Sequence, residues 1–152
     1  MENETAINVL NNLIVINNDR IEGYETAAKE TEELDLQELF RRLSRTSTMC
    51  KSELVAEVHK LGGTPDEGTR VTGKFFRVWM DVKAFLMGKD RVSILNSCEF
   101  GENAAQDAYK DALSDRAELT TMQQAMITNH KTLLAADLGK IVSLRDALAV
   151  AA

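Results

Sequence analysis

Residues that interrupt helices are scarce in this chain of 152 residues, which has one proline, Pro65, and eight glycines. With so little to break a helix or lower its propensity, long helices can run nearly unbroken. Aromatic residues make up 5% and β-branched runs are short, which argues against a sheet protein. Basic charge is also in short supply, with 18 Lys and Arg against 24 Asp and Glu, for a net charge of −6. The chain thus lacks the basic face that displaces counterions from a phosphate backbone, and nucleic acid is not expected as a partner. No apolar run approaches the roughly 20 residues of a spanning helix. No N-terminal stretch has the charged, apolar and small-residue order of a signal peptide. These absences predict no membrane insertion and a cytoplasmic location. The two cysteines, Cys50 and Cys98, sit within helical patterns rather than a disulfide framework. What is present is an ordinary globular balance, 44% apolar and 28% charged, enough for one all-α domain over residues 1–152.

Apolar spacing resolves the chain into helices. The first runs from about residue 4 to 32, with Ile7, Leu10, Ile14, Ile21, Tyr24 and Ala28 stepping by three and four along one seam. That seam requires a core residue at position 17, where the chain has Asn17. The second starts near Asp35, a plausible N-cap with Glu38 three residues on, and carries Leu36, Phe40, Leu43, Ser47, Cys50, Leu54, Val58 and Leu61. Gly62-Gly63-Thr64-Pro65 stops it. A shorter amphipathic helix follows from about residue 69 to 87, with Phe75, Trp79, Val82 and Leu86 on one face and Phe76 and Phe85 beside it. The third long helix, from about 90 to 114, has the seam Leu95, Cys98, Glu102, Ala105, Tyr109, Ala112. The fourth, from about 116 to 150, carries Ile127, His130, Leu134, Asp137, Ile141, Leu144 and Leu148.

The joints within the first and last pairs are very short, so each pair is an antiparallel hairpin. The join between the second and third helices, about 27 residues, is long enough to return along the bundle before the third begins. Two hairpins joined by one long crossover give a ferritin-like four-helix bundle rather than an up-down-up-down one. An internal echo supports this pairing: Gly23-Tyr24-Glu25-Thr26-Ala27-Ala28 matches Ala108-Tyr109-Lys110-Asp111-Ala112-Leu113 at an offset of 85 residues. In that alignment Asn17 falls on Glu102, each seven residues before its tyrosine.

The runs Leu61-Gly62-Gly63-Thr64-Pro65, Trp79-Met80-Asp81-Val82-Lys83 and Cys98-Glu99-Phe100-Gly101-Glu102, with Ala108-Tyr109 following, resemble a bacterial family. Its members are ferritin-like four-helix-bundle proteins known only as a domain of unknown function. The resemblance spans nearly the whole chain and implies a ferritin-like fold and a bacterial source, with no established activity. Di-iron members of that wider superfamily use a Glu from each of two helices and a Glu-x-x-His from each of the other two. Here Ala56 precedes His59 by three residues and Ile127 precedes His130, so neither Glu-x-x-His exists.

What remains is a polar layer. Asn17, Ser47, Cys50, Glu102 and His130 fall on inward seams near the middle of their helices, and Asp137 extends the layer by two turns. Buried carboxylate and imidazole groups must pair with one another or hold a cation. Two readings stay open: a hydrogen-bonded polar core, or a single iron, manganese or zinc ion on Glu102 and His130 with Glu99 or Asp137. His59 reads as a surface residue near the negative end of its helix. Cys50, Cys98, Tyr24, Tyr109, Met122 and Met126 read as core filling, and Glu22, Glu25, Glu53 and Glu57 as a solvated face. The Phe75-Phe76-Trp79 face either covers its own bundle or forms a dimer or partner surface.

The function expected is that of a non-catalytic structural or stress-associated bundle acting through oligomerisation, as a homodimer first of all, or through a protein partner. The alternative is a metalloprotein with a reduced site in the bundle centre, handling iron or oxidative stress.

Overall fold

The structure, a computed structural model, describes residues 3–68, 91–114 and 118–151, with side chains to residue 147. Four long helices make up almost all of this: α1 (Glu4–Glu30), α2 (Leu34–Lys60), α3 (Arg91–Ser114) and α4 (Thr121–Ala151). The aromatic crossover helix expected at residues 69–87, with Phe75, Phe76 and Trp79, lies outside the described residues, as does the Leu148 side chain.

Local chemistry sets the helix ends. Thr31 turns to extended backbone (ψ 140°), its hydroxyl accepts the Glu33 amide at 3.3 Å, and its carbonyl accepts the Gln37 side chain at 2.7 Å. α1 therefore stops short of residue 32. The expected N-cap of α2 is corrected: Glu33, not Asp35, precedes the helix, and Asp35 turns instead to Arg91 at 2.6 Å. At the other end Gly62 takes a left-handed φ of 81°, donating to the His59 carbonyl, while Gly63 donates to that of Val58. α4 begins later than expected, at a reciprocal cap. The Thr120 hydroxyl accepts the Gln123 amide at 3.1 Å, and the Gln123 side chain accepts the Thr120 amide at 2.9 Å.

Cross-helix contacts fix the directions. Tyr24 stacks on Phe40 and Gly63 abuts Ile7, so α1 and α2 are an antiparallel hairpin. Gln106 reaches the Lys131 carbonyl and Arg145 reaches Asn96, which makes α3 and α4 a second one. Asn17 meets Tyr109 while Glu33 meets Arg91, so α1 opposes α3. Glu57 meets Gln123 while Arg42 meets Asp137, so α2 opposes α4. α2 and α3 consequently run in the same direction, so α3 begins at the end of the bundle opposite to the one where α2 stops.

The segment 61–68, which follows α2, lies against α1. Asn3 donates to the Leu61 carbonyl, Asn11 to that of Thr64 and Asn18 to that of Gly68, while the Asp66 amide donates back to Asn11. Fifteen helical residues rise about 22 Å and seven extended ones about 23 Å, so the strip 61–68 keeps pace with α1 from Asn3 to Asn18.

The apolar core falls into two halves. One gathers Leu10, Leu13, Ile14, Leu54, Val58, Tyr109, Ile127 and Leu134; the other Tyr24, Leu36, Phe40, Leu43, Leu95, Cys98 and Ile141. Among the described residues no helix is long and apolar enough to cross a membrane.

Candidate functional site

A polar layer lies where the two apolar halves meet, and its centre is a residue that hydrophobic spacing passes over. Arg20 is 1% exposed, whereas Ile21, the expected seam residue, is only half-buried. The seam of α1 steps Asn17, Arg20, Tyr24, Ala27, three then four then three, as well spaced as the expected course through Ile21. Only the preference for an apolar residue hid it.

All four helices meet the Arg20 guanidinium. From α3, Glu102 accepts from Nε at 3.1 Å to both oxygens and from Nη2 at 2.6 Å to Oε1. From α4, Asp137 Oδ2 stands 3.6 Å from Nη2. From α2, the Ser47 hydroxyl and the Leu43 carbonyl accept from Nη1, the latter at 3.4 Å. Within α1, Tyr24 lies under the guanidinium carbon, 5.4 Å from ring centre, and its hydroxyl donates to Glu102 Oε1 at 2.6 Å. Arg42, at the rim, approaches Asp137 Oδ1 at 3.4 Å. Two carboxylates and two guanidiniums thus offset one another.

Electrostatics follow from that packing. Burial alone would lower the pKa of Arg20, but the Glu102 charge and its hydrogen bond outweigh it and hold the guanidinium firmly charged. Burial, reinforced by Glu102, drives the Tyr24 phenol well above its ordinary value. Burial pushes the Cys50 thiol up to about 12, and burial with Glu102 raises that of Cys98. Both cysteines are buried and free, and their thiols stay protonated at neutral pH.

A second cluster lies two turns along. Asn17 donates to the Leu13 carbonyl at 2.9 Å and to the Tyr109 hydroxyl at 2.8 Å. Tyr109 packs edge-on to His130, ring centres 6.3 Å apart. Fully buried His130 approaches Glu53 Oε1 at 2.7 Å through Nε2. The 85-residue echo now has a physical counterpart. Tyr24 on α1 reaches Glu102 on α3, and Tyr109 on α3 reaches Asn17 on α1, as a pseudo-twofold axis between the hairpins requires.

Asn17, Ser47, Cys50, Glu102, His130 and Asp137 are all buried, and the layer reaches them from four helices. The four side chains considered as metal ligands do not converge. Glu102 and Asp137 meet Arg20, His130 meets Glu53, and half-buried Glu99 pairs with Arg145. Among the described residues no three His, Cys, Asp or Glu side chains gather as a ligand set. Glu53 is more than solvated face, since it closes over His130, and Glu57 accepts from Gln123 at 3.1 Å. His59 is exposed, as expected. Met122 is corrected: it is 82% exposed, because the α4 seam runs back from Ile127 by four to Gln123, whereas Met126 packs on the core.

The family model described as Domain of unknown function (DUF2383) matches residues 5–115. That span takes in α1, α2, α3 and both sides of the Arg20–Glu102 pair. No curated protein matches the chain.

Proposed function

The chain belongs to the DUF2383 family, and from that footing we propose that it is a non-catalytic, ferritin-like bundle that acts through its outer surface, by contact with further copies of itself or with partner proteins. The ferritin-like reading is supported by helix direction: two antiparallel hairpins whose inner helices α2 and α3 run the same way. The non-catalytic reading is carried by one observation, that the charged groups of the central layer end on one another. Both oxygens of Glu102 are engaged by Arg20 and Tyr24, and Asp137 is held between Arg20 and Arg42.

The di-iron arrangement of this fold does not fit these residues. It needs carboxylates and imidazoles with free lone pairs aimed at one point. Here the lone pairs of Glu102 are spent on a guanidinium, and the imidazole of His130 is turned to Glu53 on the rim. A reduced site on Glu102, His130, Glu99 and Asp137 would have to break the contacts of Glu102 and Asp137 with Arg20, of Asp137 with Arg42, of His130 with Glu53 and of Glu99 with Arg145 to form.

Elemental analysis of protein purified without chelators, before and after iron reconstitution, tests the reading. No stoichiometric metal dependent on the central layer is expected. Iron, manganese or zinc bound one to one and lost in the Glu102→Ala, His130→Ala double variant would overturn it.

A further inference from the structure

The groups around Arg20 are unusual in kind as well as in number. Five oxygens from the three other helices face one cation: both Glu102 oxygens, Asp137 Oδ2, Ser47 Oγ and the Leu43 carbonyl. The Tyr24 hydroxyl, donating to Glu102, fixes the orientation of that carboxylate. Among the described residues neither sulfur nor imidazole hydrogen-bonds the guanidinium. Carboxylate, hydroxyl and carbonyl oxygen together are donor chemistry that suits a hard divalent cation such as manganese, magnesium or calcium. Arg20 supplies the positive charge that this set of oxygens requires, on a tether from α1.

We infer that the Arg20 side chain is the built-in occupant of a latent hard-cation site, and that removing its guanidinium lets a divalent ion bind between Glu102 and Asp137. The inference rests on the reading of the native interior as metal-free, and goes further by assigning the reason. In the native protein an ion would have to displace a charge that cannot diffuse away, so the tethered guanidinium wins. Without it two carboxylates from α3 and α4 share one buried layer, where the Tyr24 hydroxyl still donates to Glu102 and Arg42 at the rim is, among the described residues, the cation left beside Asp137. An uncompensated buried carboxylate either takes up a proton or captures a cation.

Thermal melts with and without millimolar Mn2+ test this, on the full chain. The native protein should melt at the same temperature in both. Arg20→Met, close in length but uncharged, should melt lower than native and gain several degrees with Mn2+. Arg20→Met combined with Glu102→Gln should lose the response, because its layer no longer carries the second charge. A folded Arg20→Met protein indifferent to Mn2+ overturns the inference, as does a Mn2+ response that persists in the double variant. Should Arg20→Met fail to fold alone, recovery of folding by Mn2+ supports the inference, whereas a double variant that folds when Mn2+ cannot rescue the single one defeats it. Failure of both variants in every condition would make bulk, not charge, the role of Arg20 and would defeat it too. Mn2+ stoichiometrically bound by the native chain and lost in Glu102→Gln would instead strike the metal-free reading itself.

Discussion

Arg20 and Glu102 show how much of this molecule depends on single side chains. Replacing Glu102 by Gln keeps the shape but leaves the guanidinium without its main counter-charge at 1% exposure. Breaking a buried pair in this way costs about 3–5 kcal/mol, and urea denaturation should record a loss of that order. A loss below about 1 kcal/mol would place the pair among solvent-screened bridges. The buried thiols and phenols predict the pH response. Burial lifts Cys50 and Cys98 above the ordinary 9.0, and Tyr24 and Tyr109 above 10.0. These groups are neutral when protonated and their folded values are raised. Their contribution is therefore complete below the unfolded values and is lost as pH climbs through the folded ones. Melting temperature should fall steadily from pH 9 toward the Cys50 value of about 12, and Cys50→Ala should flatten that slope. A slope unchanged in this variant would assign the loss to other groups. The polar layer was legible at residues 17, 47, 102, 130 and 137 because three-and-four spacing is geometric and does not depend on side-chain type. Arg20 was not, since an arginine on a helix belongs by default to its solvated face.

At the scale of elements, the helix lengths follow from absent breakers, but their ends belong to side chains. The α4 start is held by the reciprocal Thr120–Gln123 pair, so Thr120→Ala should cost about 1 kcal/mol and raise amide exchange in the first turn alone. The α2 stop needs two glycines for different reasons. Gly62 adopts a left-handed φ of 81° with open space around it, while a Cβ on Gly63 would come within 2.9 Å of Ile7 and 3.1 Å of Val58. Gly63→Ala should therefore push strip 61–68 off α1, and hydrogen exchange should show it as lost protection of the Asp66 amide, which Asn11 holds at 2.8 Å. Unchanged protection there would mean that Ile7 gives way instead. A run of glycines and a proline announced the stop. It could not announce that Asn3, Asn11 and Asn18 would lead the chain back along α1, because an asparagine stripe on a helix surface has no partner in the local sequence.

The whole molecule joins two hairpins through a layer that is charged yet balanced. Its outer surface carries Phe100 at 57% and Val92 at 41% exposure, two turns apart on α3. If the bundle acts through that surface, Phe100→Glu should yield a smaller particle in light scattering with unchanged helicity. An identical particle would move the contact elsewhere. Periodicity, scarce proline and glycine, and joint lengths determined by themselves that the chain is all-α, that it forms four long helices in two hairpins, and that a polar layer crosses their middle. These are matters of spacing along one chain, and spacing is written in the sequence. Which polar group pairs with which was decided only by the tertiary structure. Arg20 and Glu102 are 82 positions apart, and their attraction outweighs the burial of charge only where three helices bring enough oxygen to the guanidinium that α1 supplies and keep water out.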